Sequence, residues 1–157
     1  MGEILERQEL IKRIDALRTE GKKIVFTNGC FDILHVGHVR YLKESKGLGD
    51  ILIVGLNSDT SVSSLKPNRP IVPEAYRAEL LASLIAVDFV TIFEEDTPYE
   101  LIKQLRPDFL VKGGDWKKED IVGSDIAKET CSLPFVNGMS TTGIVEKILE
   151  FGKNKDS

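Results

Sequence analysis

The chain reads as an α/β protein, a Rossmann-like three-layer sandwich on a parallel sheet of about five strands. Short β-branched and aromatic runs alternate with amphipathic stretches of helical length, a pattern that favours parallel strands joined by right-handed helical crossovers. The polar or glycine-bearing segments Asn28 to Asp32, Asn57 to Asp59 and Gly113 to Trp116 follow such runs directly, so they should gather at the carboxyl edge of the sheet, where ligands of this fold class bind. The 157 residues, 41% of them hydrophobic, suit a single domain over residues 1–157 with one buried core.

Each element has its own signal. Over residues 3–20, Leu10, Ile11, Ile14 and Leu17 recur at helical spacing and Gly21 closes the pattern, which predicts an N-terminal helix within residues 1–21. Lys23 to Thr27 predicts a strand ended by Asn28-Gly29, and residues 36–47 carry mixed apolar and basic side chains long enough for a helix. A strand is expected over Ile51 to Leu56. Ser61 to Pro73, with Pro67, Pro70 and Pro73 among polar residues, reads as a long connection able to act as a lid. A helix near 74–86, a strand over Phe89 to Phe93, a helix near 97–105 and a strand over Phe109 to Lys112 complete the alternation. From Lys128 to Phe135 the run Cys131-Ser132-Leu133-Pro134 is shorter than the usual helix-to-strand connection, which leaves a fifth strand there open. Ser140-Thr141-Thr142 reads as the cap of a last helix, and residues 151–157 as a polar tail expected to fray.

Composition narrows the chemistry. A net charge of −4 offers no broad surface for a polyanion, so nucleic acid is not an expected partner. No apolar run has membrane-spanning length, and the charged start Met1 to Arg7 is unlike a secretory signal, so a cytoplasmic protein without a membrane partner is expected. Cys30 and Cys131 are too few for a disulfide framework, and with two histidines they do not cluster into a protein-held metal site. Neither a GxxxxGK[ST] loop nor a GxGxxG turn is present, so phosphate-loop kinases and dinucleotide oxidoreductases lack their turn chemistry.

The informative stretch is His35-Val36-Gly37-His38, placed after a strand and at the start of a helix. Backbone N–H groups and the helix dipole favour anions there, and residues three apart share a helical face, so both imidazoles can reach one phosphate. Gly37, without a side chain, would let that ligand approach the backbone, and Gly29 would do the same on the strand side.

Asn28-Gly29-Cys30-Phe31-Asp32 followed by His35-Val36-Gly37-His38 resembles the signature of the HxGH nucleotidyltransferases. From about Lys22 to Leu149 the chain is similar to their heptose 1-phosphate adenylyltransferase branch, which makes ADP-heptose for lipopolysaccharide biosynthesis. The resemblance implies that His35 and His38 stabilise nucleotidyl transfer, with Lys46 and Lys66 as further catalytic cations. It implies nucleotide binding by Asn28, Gly29, Cys30, Phe31, Gly37, Lys112, Gly114, Asp115, Ser140, Thr141 and Thr142, and acceptor binding by Asp32, Asn57, Asp59, Arg69, Arg77 and Trp116. It also implies ATP as substrate, Mg²⁺ held mainly by the ATP phosphates, a homodimer, and a separate heptose kinase supplying the acceptor.

Plainer roles stay open for several of these residues. Lys46 near a helix C-terminus is favoured by the dipole alone, Arg77 could pair with a nearby Glu, Lys66 and Arg69 could lie on a solvated loop, and Ser140 to Thr142 could only cap. A glycine turn closed by Asp115 would account for Lys112-Gly113-Gly114-Asp115. Glycerol-3-phosphate cytidylyltransferases carry an arginine five residues before the Ser/Thr motif, where this chain has Phe135; that branch, FAD synthases of the same fold and a non-catalytic nucleotide-binding module are the alternatives.

Overall fold

A computed structural model describes residues 1–156. Six parallel strands form one sheet: β1 (Glu3–Ile4), β2 (Ile24–Gly29), β3 (Ile51–Asn57), β4 (Phe89–Phe93), β5 (Phe109–Gly113) and β6 (Glu129–Leu133), in the order β1-β4-β3-β2-β5-β6. The chain runs outward from β2 to β3 and β4, then returns to the other side of β2 with β5. The switch point therefore lies between β2 and β5, where an open α/β sheet leaves a crevice. The helices are α1 (Arg7–Thr19), α2 (Val36–Lys46), α3 (Asp59–Leu65), α4 (Glu74–Ala82), α5 (Tyr99–Leu105) and α6 (Thr141–Lys155).

Strand periodicity divides the core. Val25, Leu52, Val54, Val90 and Val111 point to the face covered by Leu42 of α2 and Ala78 and Leu81 of α4. Ile24, Phe26, Ile53, Phe89 and Leu110 point to the other, covered by Leu10 and Ile14 of α1 and Leu101, Ile102 and Leu105 of α5. This is the expected three-layer sandwich.

The structure corrects four details. The N-terminal helix begins at Arg7, because Glu3 and Leu5 instead donate backbone hydrogen bonds to Asp88 and Val90 and extend the sheet beyond β4. The connection after β3 opens with a helix, α3, capped by the Ser58 hydroxyl accepting from the Ser61 N–H and anchored by buried Val62. The strand left open after Lys128 exists: β6 pairs with β5 over five positions, because an edge strand gains a full ladder on one side. The last helix continues to Lys155, with Lys153 and Lys155 in its final turn where the dipole favours cations, so the expected frayed tail is helical through that point. Ser157 lies outside the described residues.

One side chain fixes the carboxyl ends of the central strands. The Arg77 side chain is fully buried and its guanidinium donates to the carbonyls of Val72 (2.8 Å), Cys30 (2.6 Å) and Asn57 (2.9 Å) and to Asp59 Oδ1 (2.7 Å). Removing it strands three carbonyls and a carboxylate. Arg77→Leu is expected to lower the free energy of unfolding by about 3 kcal/mol or more, as breaking a buried charge network does; urea titration checks this, and a loss below about 1 kcal/mol would show that the carbonyls find other donors.

Candidate active site

A cleft of about 800 Å³ opens at the carboxyl edge of the sheet, over the switch point. The ends of β2 and β5, the first turns of α2 and α6, and the end of α3 converge on it.

The histidines begin α2. His35 is its N-cap, in extended conformation, and its Nδ1 accepts from the Gly37 N–H (3.1 Å), while His38 Nδ1 accepts from the His35 N–H (3.3 Å). Each ring thus satisfies a helix-start donor that would otherwise face the cleft. A ring nitrogen that accepts carries no proton, so the proton of each neutral imidazole sits on Nε2. The rings stack with centroids 3.8 Å apart and 23° between planes. Burial lowers the pKa of both; His38 is pushed down to about 4 by burial, with the neighbouring His35 and Lys66 acting in the same direction. The pair is therefore two neutral N–H donors at neutral pH.

Gly37 makes this stack possible in a different way from that expected. A Cβ at Gly37 would lie 2.8 Å from His35 Cε1 and 2.9 Å from its Nδ1, so the space is taken by the imidazole rather than kept for a ligand. Phe31 packs its ring edge-on to His38, centroids 5.2 Å apart, and holds a left-handed backbone with φ 44°. Such a conformation in a non-glycine residue costs of order 1 kcal/mol and is kept where packing over-determines it; here buried Phe31 carries the chain from β2 into the histidine turn.

Asp32 works inward. Its carboxylate accepts from the N–H groups of Ile71 (2.9 Å) and Val72 (2.9 Å) and pairs with Arg69 (3.3 Å). Burial raises its pKa, but these three partners outweigh burial and leave it below the usual carboxylate range. Asp32 and Arg69 border the cleft as a bonded pair, and Lys66, exposed, reaches it from the end of α3. The segment read as a lid is thus pinned at one foot by Asp32 and at the other by the Lys66 N–H donating to Val62.

On the β5 side, Lys112 lies with its Nζ 5.5 Å from the centre of the Trp116 ring, whose Nε1 donates to the Gly113 carbonyl (3.1 Å). Burial lowers the pKa of Lys112; Cys30 opposes this and Lys66 adds to it. Across the cleft, Ser140 caps α6 by accepting from the Gly143 N–H (2.9 Å), and Thr141 donates to the Ile33 carbonyl (3.3 Å). Ser140, Thr141 and Thr142 all line the cleft, so two helix N-termini face one space. Asn28, Gly29, Cys30, Asn57 and Trp116 line it as well.

Five expected residues lie elsewhere. Lys46 is eleven positions beyond His35, roughly 16 Å along the helix, and binds Asp88 and the Asp50 carbonyl at the amino ends of β4 and β3. It stands at the opposite edge of the sheet. Arg77 is sealed beneath the cleft with Asp59 as its counter-ion, and neither is among the residues that line it. Gly114, with φ 109°, turns the chain after β5 under the Phe135 ring, and Asp115 beyond that turn is exposed outside the cleft.

Other lining residues were not anticipated. Tyr41 donates to the Val111 carbonyl (3.1 Å) and shares a hydrogen bond with Thr27 (2.6 Å), bridging β2 and β5; burial raises its pKa to about 12. Its signal was present, since positions 35, 38 and 41 repeat the spacing that aligned the histidines. Asp96 and Thr97 follow β4, so the strand-end rule applied to that strand would have found them. Phe135 walls the cleft beside Gly113 and Gly114. Among the described residues no group of three or more His, Cys, Asp or Glu gathers as a metal site, and the cleft's imidazoles, lysines and hydroxyls are donors suited to an anion.

The cleft at the switch point of this parallel sheet, faced by a histidine pair and by a second helix start, defines an anion-binding α/β protein. The chain belongs to the cytidylyltransferase-like family, whose model matches residues 26–147. It is 64% identical over 144 residues, 91% of its length, to the bifunctional protein HldE of a Nitratiruptor species. It is 57% identical over 146 residues, 92% of its length, to the bifunctional protein HldE of a Helicobacter pylori strain. The chain spans 31% of each of these relatives. The crystal structure of the lipopolysaccharide core biosynthesis protein from Thermoplasma volcanium GSS1 matches 74% of this chain and 100% of its own, with a TM-score of 0.63 and 32% identity. No helix among the described residues is long and apolar enough to cross a membrane.

The neutral pair has a measurable signature. In an NMR titration His38 is expected to protonate with a midpoint near 4, well below the ordinary 6.5, and its ¹⁵N shifts above pH 6 should report the Nε2–H tautomer; a midpoint at or above 6.5 would remove the neutral-donor assignment. Because the folded value is depressed, the unfolded chain binds more protons between these values, so this residue's contribution to stability is full above about pH 6.5 and lost as pH falls toward 4.

Proposed function

We propose that this chain is an adenylyltransferase joining ATP and D-glycero-D-manno-heptose 1-phosphate to give ADP-heptose and pyrophosphate, in lipopolysaccharide core or surface-polysaccharide biosynthesis. The observation that carries the reaction class is the pair of neutral Nε2–H donors of His35 and His38 in the same cleft as the start of α6. The choice of sugar rests on the likeness to the HldE proteins, on the Thermoplasma volcanium relative, and on the Lys112 to Trp116 segment that resembles the heptose branch.

In this reading a phosphate oxygen of the acceptor attacks the α-phosphorus of ATP in line, a new P–O bond forms, and the bond from that phosphorus to the bridging oxygen breaks as pyrophosphate leaves. The attacking oxygen is already anionic, so no general base is needed, and catalysis consists of positioning and charge stabilisation. His35 and His38 donate to phosphate oxygens without adding a proton that would have to be removed. Lys66 and the Ser140–Thr142 helix start hold the β- and γ-phosphates, while Lys46, bound to Asp88, takes no part. Lys112 and Trp116 form the nucleotide and sugar side of the cleft, and Asp32 with Arg69 fixes its rim. Mg²⁺ would be carried by the triphosphate oxygens and supply charge neutralisation there, which fits a cleft of donors without a carboxylate cage. The reading also includes a cytoplasmic location and a homodimer.

Pyrophosphate release should be seen with ATP and one anomer of heptose 1-phosphate, and not with CTP and glycerol 3-phosphate. Release confined to the CTP and glycerol 3-phosphate pair would transfer the protein to the cytidylyltransferase alternative. His38→Ala is expected to lower kcat at least ~100-fold, about 3 kcal/mol, as loss of one preorganised donor does. A loss under about tenfold in a folded variant would remove His38 from the chemistry.

A further inference from the structure

The lining of the cleft differs from one side of the sheet to the other. The strand order sets β2, with the histidine turn that follows it, between β3 and β4 on one side and β5 and β6 on the other. On the first side Asn57 at the end of β3, and Asp96 and Thr97 after β4, give the lining hydrogen-bonding side chains. On the second, Trp116 after β5 and Phe135 after β6 give it two aromatic rings, 46% and 74% exposed. Lys112 and Asp120 supply the charges of that side.

Both rings are set by the backbone between them. The Gly114 N–H donates to the Leu133 carbonyl (2.8 Å) and its carbonyl accepts from the Ser132 hydroxyl (2.7 Å), which ties the turn after β5 to the end of β6. A Cβ at Gly114 would lie 2.9 Å from Phe135 Cε2 and 3.1 Å from Trp116 Nε1, and one at Gly113 would lie 3.2 Å from Phe135 Cε1. The tip of the Phe135 ring therefore rests on bare backbone, and the indole meets it at the same glycine. Neither ring belongs to the core, so each is held in place without being covered by its own chain. A fixed, uncovered aromatic surface inside a cleft suits a flat unsaturated ring.

We infer that Phe135 is the platform on which the base of the nucleotide stacks, beside Trp116, and that it selects a purine. The inference rests on the nucleotide reading of the preceding subsection and deepens it by naming a residue that tells one base from another. A bicyclic base covers more of the ring than a monocyclic one and removes more apolar area from water. A polyhydroxylated sugar laid on the same ring would leave hydroxyls without partners, so the acceptor belongs on the side of Asn57, Asp96 and Thr97. The histidines, between the two sides, reach the phosphate that joins base and acceptor.

Calorimetry in Mg²⁺ without acceptor reads the platform. The wild-type chain should bind ATP more tightly than CTP. Phe135→Ala should weaken ATP at least about fivefold, as loss of one stacked base does, and CTP by a smaller factor. Inorganic tripolyphosphate, which has no base, should bind the variant as it binds the wild type, and this also shows that the cleft has folded. Phe135→Tyr, which keeps a ring, should keep the ATP affinity. Unchanged ATP affinity in Phe135→Ala, equal losses for ATP and tripolyphosphate, or a Phe135→Tyr variant as weak as Phe135→Ala overturns the platform. A wild-type preference for CTP, or equal losses for ATP and CTP, overturns the selection of a purine. Acceptor is absent throughout, so a chain that binds ATP through this ring yet releases no pyrophosphate with heptose 1-phosphate would count against the proposed reaction and leave the platform standing.

Discussion

A guanidinium out of water must find acceptors for its N–H groups, and in this protein that requirement organises the functional edge. Arg77 meets it with the ends of β2 and β3, with Val72 at the foot of the loop before α4, and with Asp59 at the start of α3. The chain segments that leave the two central strands are thereby held at a common depth. Asp32 extends the arrangement by one layer, since it grips the backbone beside Val72 and directs Arg69 along the rim. Charges that sequence alone would assign to a ligand serve first to place the groups that face one.

The histidine turn follows the same logic on a smaller scale. A helix start carries N–H groups in need of acceptors, and the imidazoles supply them. In doing so each ring commits its Nδ1 and is left with one donor for anything else. Burial and stacking keep both rings uncharged. Positive charge in the cleft then comes from Lys66 and Lys112, on separate segments, while the imidazoles contribute direction.

The sandwich was legible because its signals are periodic: alternation in the strands and the 3.6-residue repeat of α1, α2, α4 and α5 each bury a face that the partner layer needs. The strand-end rule likewise brought Asn28, His35, His38, Asn57, Lys112 and Ser140 to one cleft. Lys46 failed for a geometric reason, since a helix that starts at the carboxyl edge of a parallel sheet must end at the amino edge, and a residue eleven positions on goes with it. Arg77 lies beneath the cleft rather than in its lining because residue type does not distinguish a cation facing solvent from one facing carbonyls, and Asp59 goes with it as counter-ion. The strand β1 and helix α3 were illegible because each is short and owes its form to tertiary partners, the open edge of β4 and the Ser58 cap.

In the proposed reaction the loop between α3 and α4 has a cost already met. Its two feet are tied, at Lys66 through Val62 and at Ile71 through Asp32, and the four residues between include Pro67 and Pro70. Ordering a free backbone costs ~1–2 kcal/mol per residue, and here most of that cost is met when the chain folds. The span has little freedom left to surrender when a nucleotide arrives and little to regain when one departs. What a phosphate ligand then meets is a rim already in place, so its binding draws on the contacts of the cleft and not on ordering this loop.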